Sequence, residues 1–302
     1  MLEYEKILKE YIDRDDRLMV LTAENRAPLR NLASQIGDRF LDTGITEQSM
    51  IGIAAGLALR GRRPVCHALA AFLTMRAFEF IRTDVGIPGL PVKIVGYVPG
   101  VLSDGNGPTH QAIEDVSLMR GIPGMQVFCP ADEQELGQGM RAVLDSDQPC
   151  YIRWNIQKPV YEHREPFALG KAETVMTGID ITFLTYGALF GQTYEAARLL
   201  QADGVSVGLV NLRTLSPVDE AALVAAAQGS RLLVTVEDHF VRGGLATILA
   251  ETLTRHRQLA HILNIGFEQK WFKPALLADV LEHEGLTGKQ LAGRALRVFK
   301  EI

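Results

Sequence analysis

Short apolar runs alternate with helix-periodic segments along almost the whole chain, and this alternation constrains it to an α/β architecture. LMVLT (18–22), PVCHA (64–68), PVKIVGY (91–97), QVFCP (126–130) and CYIRW (150–154) read as strands, each short and bounded by turn residues or charges. Between them, Tyr4, Ile7, Leu8, Tyr11 and Ile12 share one helical face, and EQSMIGIAAGLAL (47–59) reads as a mostly buried helix. RAFEFIRTDV (76–85) and DEQELGQGMRAVLD (132–145) also read as helices. The pattern lapses between 155 and 178, where Pro159, Pro166 and several charges interrupt it, so a linker is expected there. A second series follows: DITFLTYG, a helix from about Gln192 to Ala202, VSVGLVNL, a helix after Pro217, RLLVTVED, and a helix after Gly243-Gly244. Proline at 217 suits a first helical turn, whose amide has no intrahelical partner. The expected fold is two α/β domains, 1–165 and 175–302, each a parallel or mostly parallel sheet flanked by helices.

Composition narrows the classes. With 302 residues, two domains fit comfortably. No apolar run reaches the ~18 residues of a membrane span, and the charged, helix-periodic opening residues are unlike a signal peptide. Cys66, Cys129 and Cys150 lie far apart without a CxxC pair, which argues against a disulfide framework and a zinc site. A cytoplasmic protein with no membrane partner is therefore expected. A formal charge of -5 without a basic cluster leaves no footprint for nucleic acid.

Three segments carry chemistry. In GITEQSMIGIAAGLALRG (44–61) a lone carboxylate, Glu47, opens an otherwise apolar helix. It either complements the helix dipole or faces an apolar site, where the charged form is disfavoured and a proton can be held near neutrality. In NGPTHQAIED (106–115), Gly-Pro stiffens a turn that presents Thr109, His110 and Gln111. His110 reads as an exposed residue after a cap, or as a hydrogen-bond donor and proton shuttle to a substrate. In AFLTMRAFEFIR (71–82), Phe72, Met75 and Phe78 recur at spacing three, as a core stripe or as one wall of a pocket.

GITEQSM, AFLTMRAF, GPTHQ and the late VTVEDHFVRGGLATILAETL together resemble the pyrimidine-binding and C-terminal domains of transketolases, over essentially the whole chain. The resemblance implies thiamine diphosphate as cofactor and two-carbon transfer from a ketose donor to an aldehyde acceptor. It implies that Glu47 hydrogen-bonds a ring nitrogen of the aminopyrimidine, that Phe72 stacks on that ring, and that Met75 and Phe78 pack around it. Glu24, in LTAEN, matches an acidic position near the pyrimidine. His110 matches a histidine near the reacting oxygens, and Asn106 the position before GPTHQ that reads a sugar hydroxyl. Two relatives of the fold keep an alternative open: deoxyxylulose-phosphate synthase and the beta subunits of 2-oxoacid dehydrogenases start from keto acids. A non-catalytic stabilising subunit is a third reading.

Transketolases also carry G-D-G and a spaced asparagine that hold the diphosphate through Mg2+ (or Ca2+). No GDG occurs here; the nearest string is Asp104-Gly105-Asn106. The resemblance therefore implies an N-terminal partner subunit carrying the diphosphate and metal site, no metal ligand on this chain, and an α2β2 heterotetramer. Three positions depart from the sugar-phosphate pattern: Asn106 replaces an aspartate, Val98 a histidine and Cys129 an arginine. The two lost basic groups would anchor a phosphate by charge-assisted bonds of roughly 1.5–3 kcal/mol each. A substrate other than a standard pentose or hexose phosphate is expected, unless Arg26 or Arg76 substitutes as the anion anchor. Cys129 reads as a buried small residue rather than a reactive thiol. His239, before a glycine-started helix, suggests an anion site, whereas the resemblance implies that this domain serves assembly rather than catalysis. The remaining histidines read as surface.

Overall fold

The computed structural model describes residues 1–164, 166–268 and 270–302. The first sheet is built from β1 (Leu18–Thr22), β2 (Phe40–Asp42), β3 (Arg63–Leu69), β4 (Lys93–Tyr97), β5 (Gln126–Phe128) and β6 (Cys150–Trp154). Its helices are α1 (Glu3–Arg14), α2 (Ala33–Ile36), α3 (Glu47–Leu59), α4 (Phe78–Phe80), α5 (Asp115–Arg120) and α6 (Glu133–Asp145). The second unit comprises β7 (Glu173–Met176), β8 (Ile181–Thr185), α7 (Phe190–Ala202), β9 (Val207–Asn211), β10 (Thr214–Ser216), α8 (Glu220–Gly229) and β11 (Leu232–Phe240). It ends with α9 (Leu245–Arg255), β12 (His261–Phe267), α10 (Leu277–His283) and α11 (Gly288–Phe299).

Strands order as β10-β5-β6-β4-β3-β1-β2 and as β12-β11-β8-β9-β7. All pairs are parallel except β10 on β5 and β7 on β9. The inner strands are buried on both faces because helices cover both sides, as a parallel sheet requires. In the first sheet Val20, Val65, Val95 and Ile152 point toward α1 and α6. Their neighbours Leu21, Cys66, Ile94 and Tyr151 join a core with α3 that continues into α8, α9 and one face of the second sheet. The other face of that sheet, with Ile181, Phe183, Leu232 and Val234, packs on α7 and α11. Among the described residues, no helix is long and apolar enough to cross a membrane.

Four local readings differ. β7 lies inside the stretch expected to be linker, paired antiparallel with β9. β10 leaves its own unit and adds an edge strand to the first sheet through Thr214 and Ser216. Pro217 precedes the helix rather than opening it: α8 starts at Glu220, and Asp219 caps it by accepting from the Ala222 amide. The segment read as a helix over 76–85 is broken into wide π turns at Phe72–Arg76 and Ile81–Gly86 around the short α4. Two histidines read as surface are buried. His67 lies 2.7 Å from the Tyr4 hydroxyl, and burial lowers its pKa to about 4.

His163 is the second, held in a buried charge network where the two units meet. Its Nδ1 donates to Glu173 Oε2 at 2.6 Å and its Nε2 to Asp132 Oδ2 at 3.0 Å. Both ring nitrogens face carboxylates, so the ring is an imidazolium. Burial works against the charge, but bonds to Asp132 and Glu173 and the charge of Glu135 outweigh it and raise the pKa to about 10. Arg213 adds a second cation, 2.8 Å from Glu135 and 3.2 Å from Glu173.

Candidate active site

The carboxyl ends of β1, β3 and β4 converge on one side of the first sheet, the place where open parallel sheets bind ligands. Each contributes a predicted residue. Glu24 follows β1, Phe72 and Met75 follow β3 in the first π turn, and the loop after β4 carries Asn106 and His110. Glu47 begins α3, which follows β2.

Glu47 is buried, at 1% exposure. It is not in the purely apolar setting expected from its helix: Oε2 accepts from Arg76 Nη1 at 2.9 Å. That guanidinium also lies over the Phe72 ring, 4.4 Å from its centroid. Phe72 also meets the His110 ring edge-on at 4.9 Å. His110 Nδ1 lies 2.9 Å from Thr109 Oγ1, and its amide donates to the Gly107 carbonyl at 3.0 Å. Glu47, Arg76, Phe72 and His110 therefore form one contiguous chain of contacts.

The rest of the stripe divides. Phe72 and Met75 pack against a small cluster of Ala70, Ala71 and Ala112, whereas Phe78 packs into the main core. A π turn holds more residues per turn than an α-helix, so spacing three no longer keeps all of them on one face. Glu24 is exposed at a left-handed φ of 55° and lines a cleft with Arg26, Asp42 and Gly44. Asn106 is exposed, its Nδ2 donating to Ser103 Oγ at 3.2 Å.

The altered positions are equally definite. Val98 is held at φ 47°, a conformation a β-branched residue rarely adopts. Cys129 is fully buried, and burial pushes its thiol well above the ordinary range. Neither candidate anion anchor is free: Arg26 pairs with Asp42 and Arg76 with Glu47. His239 is buried behind the loop of His110, donating from Nδ1 to the Phe240 carbonyl at 2.6 Å. Gln111, which the sequence presents beside His110 on the stiffened turn, is turned inward instead. It is 2% exposed, and neither side-chain amide atom has a hydrogen-bond partner among the described residues. A buried amide in that state is open to a water or a polar ligand.

Glu135, His163 and Glu173 offer three ligand atoms close enough for a metal. Arg213 and the imidazolium already neutralise those carboxylates, so the group reads as an internal ion network.

Residues 3–159 match the family model for the transketolase pyrimidine binding domain, and 170–291 that for the transketolase C-terminal domain. The chain belongs to the transketolase family. It is 34% identical over 300 residues to the 6-deoxy-6-sulfo-D-fructose transketolase subunit SqwH of Clostridium sp. (strain MSTE9), covering 98% of this chain and 92% of that protein. A putative transketolase C-terminal section from Methanocaldococcus jannaschii is 31% identical over 304 residues, covering 99% of this chain and 95% of the other. The solved structure of a split gene transketolase, described as an inactive beta4 tetramer, superposes with a TM-score of 0.87 at 30% identity, covering 99% and 97% of the two chains. This transketolase-family chain thus corresponds to the C-terminal subunit of a split transketolase, with the two-sheet fold expected from its sequence.

Proposed function

We propose that this chain is the pyrimidine-side half of a thiamine-diphosphate transketolase, active only with an N-terminal partner that holds the diphosphate through Mg2+ (or Ca2+), in an α2β2 assembly. The observation that carries the reading is the buried Glu47 carboxylate joined to the Phe72 face by a single guanidinium. A guanidinium is a planar N–C–N group donating to a carboxylate while stacked on a ring. The aminopyrimidine has the same planar N–C–N edge, so the residues present fit that half of the cofactor. Family membership supports the cofactor. When bound, the cofactor supplies a nucleophilic thiazolium carbon that breaks and makes the carbon–carbon bonds.

The chain's own residues supply position and protons. Glu47 shares a proton with a ring nitrogen, and Arg76, bonded to its Oε2, gives up that place to the ring. Phe72 stacks, contributing up to ~1.5 kcal/mol beyond burial, and Met75 backs the ring. His110, beside Phe72, moves a proton at the substrate oxygen, and Asn106 reads a neighbouring hydroxyl. Glu24 stands at the edge of the same strand ends.

For the substrate, Val98 and the buried Cys129 support a donor outside the standard sugar phosphates. The relative named for a sulfonated ketose supports the same direction. Turnover of a standard phosphorylated ketose in strong preference to every other ketose would contradict it. Use of an α-keto acid with carbon dioxide release would instead place the chain with the decarboxylating synthases.

The test of the core reading is Glu47→Gln in the complex reconstituted with its N-terminal partner. Hydrogen–deuterium exchange at C2 of bound cofactor should slow by about 100-fold or more, the scale of acid–base catalysis. Exchange and turnover near wild type would mean that this subunit is a passive stabiliser.

A further inference from the structure

We propose that the second unit holds the His110 loop in position through the buried triad Asp115–Arg153–Asp238, which makes Arg153 and Asp238 positioning residues for His110. This rests on the reading of His110 as the proton-transfer group. The loop leaves β4 at Val98 and returns at α5. Its neck is closed by two backbone bonds, Gly100 amide to Ala112 carbonyl at 2.9 Å and the reverse at 3.0 Å. Ala112 is only two residues from His110, so the neck sets where the imidazole lies.

The tip of β11 fastens that neck from across the boundary between units. The Phe240 amide donates to the Ile113 carbonyl at 2.9 Å, and the Ser117 amide to His239 Nε2 at 3.4 Å. Arg153, at the end of β6, donates from Nη1 to Asp238 Oδ1 at 2.5 Å and from Nε to Asp115 Oδ2 at 2.9 Å. Its Nη2 reaches the Asp238 carbonyl at 3.1 Å and the Ala112 carbonyl of the neck at 3.5 Å. The Tyr151 hydroxyl completes the set, donating to Asp115 Oδ2 at 2.7 Å. All three triad side chains are at most 1% exposed. A buried ion set of this kind adds little net stability but fixes geometry, because removing one member strands the others.

Two glycines show how tightly the second unit grips the loop. A β-carbon at Gly100 would collide with Asp238 Oδ2. At the crown, a β-carbon at Gly107 would lie 2.7 Å from Pro274 Cγ, so the proline ring rests on the turn that ends in His110. The loop is clasped at both neck and crown by residues of the second unit, whereas Glu47 belongs to α3.

The test uses Asp238→Asn, Pro274→Ala, His110→Ala and the Asp238→Asn/His110→Ala double variant in the reconstituted complex. A displaced proton-transfer group loses roughly 10- to 100-fold in rate, so Asp238→Asn should lower kcat by about that factor. C2 exchange of bound cofactor, which depends on Glu47, should stay within about two-fold of wild type. On the His110→Ala background, Asp238→Asn should cost less than about two-fold, since residues acting through one group are not additive. In the isolated chain, amide exchange across residues 100–112 should quicken in Asp238→Asn while β1 and β3 are unchanged. A parallel fall in C2 exchange, a full penalty on the His110→Ala background, or unchanged loop exchange would overturn the proposal. If His110→Ala is itself as active as wild type, the reading of His110 fails and takes this proposal with it; a slow His110→Ala with an additive triad sinks the triad alone. Should Asp238→Asn not assemble, Pro274→Ala decides: quicker loop exchange and slower turnover support the clasp, and no change in either refutes it.

Discussion

Replacing His163 with alanine tests whether the meeting of the two units depends on buried charge. The imidazolium makes two charge-assisted bonds, to Glu173 at 2.6 Å and Asp132 at 3.0 Å. Asp132 keeps its other oxygen on the capping amides of α6, and Glu173 keeps Arg213, so the loss falls on those two bonds. At roughly 1.5–3 kcal/mol each, and against about 3–5 kcal/mol for a broken buried pair, His163→Ala should destabilise the chain by about 3–5 kcal/mol. Its pKa is raised to about 10 in the folded chain, from about 6.5 unfolded. The contribution is therefore fully present below about pH 6.5 and is lost as pH rises through about 10. Denaturant unfolding of wild type and variant at a series of pH values measures it, because the difference cancels the titrating groups that do not face His163 and leaves the ring with its partners Asp132, Glu135 and Glu173. A gap that stays flat or widens between pH 6.5 and 10, or one below about 1 kcal/mol at neutral pH, would refute the reasoning.

Other outcomes follow from the site. Arg76→Met should lower the stability of the free chain by about 1 kcal/mol, since the pair is half exposed on the arginine side. It should also enlarge the thermal shift on cofactor addition to the reconstituted complex, because Glu47 then has no competing partner; an unchanged shift would argue against displacement of Arg76. Phe72→Ala should weaken cofactor binding to the complex by about ten-fold, the equivalent of the lost stacking, as read by titration. Isothermal titration of the chain alone should detect weak or no thiamine diphosphate binding, and binding as tight as in the complex would remove the need for a partner.

The sequence made the strands legible wherever burial on both faces left an unbroken apolar run: β1 and β6 begin and end where expected. It hid β7 and β10 because short edge strands carry little pattern of their own. The first unit's candidate residues could be picked out because chemistry restricts their residue types, and the fold strings Glu47, through Arg76, to Phe72 and His110. Phe78 parted from the stripe because helical spacing assumes an α turn, and nothing in FLTMR announces a π turn. Arg76 and Gln111 were obscure for a different reason. Their roles arise from who faces them across the fold, an aromatic ring and a buried carboxylate in one case and no protein partner among the described residues in the other. His163 lay in a segment read as linker, where only the fold supplies its three acidic neighbours.

Where the pyrimidine ring sits decides the role of Glu47, so the decisive measurement is the structure of the assembled enzyme with thiamine diphosphate bound. It should show Glu47 within about 2.6–3.2 Å of a ring nitrogen, the ring stacked on Phe72, and Arg76 turned away from both. A pyrimidine ring held entirely by other subunits, or Glu47 still bonded to Arg76 with cofactor in place, would contradict it.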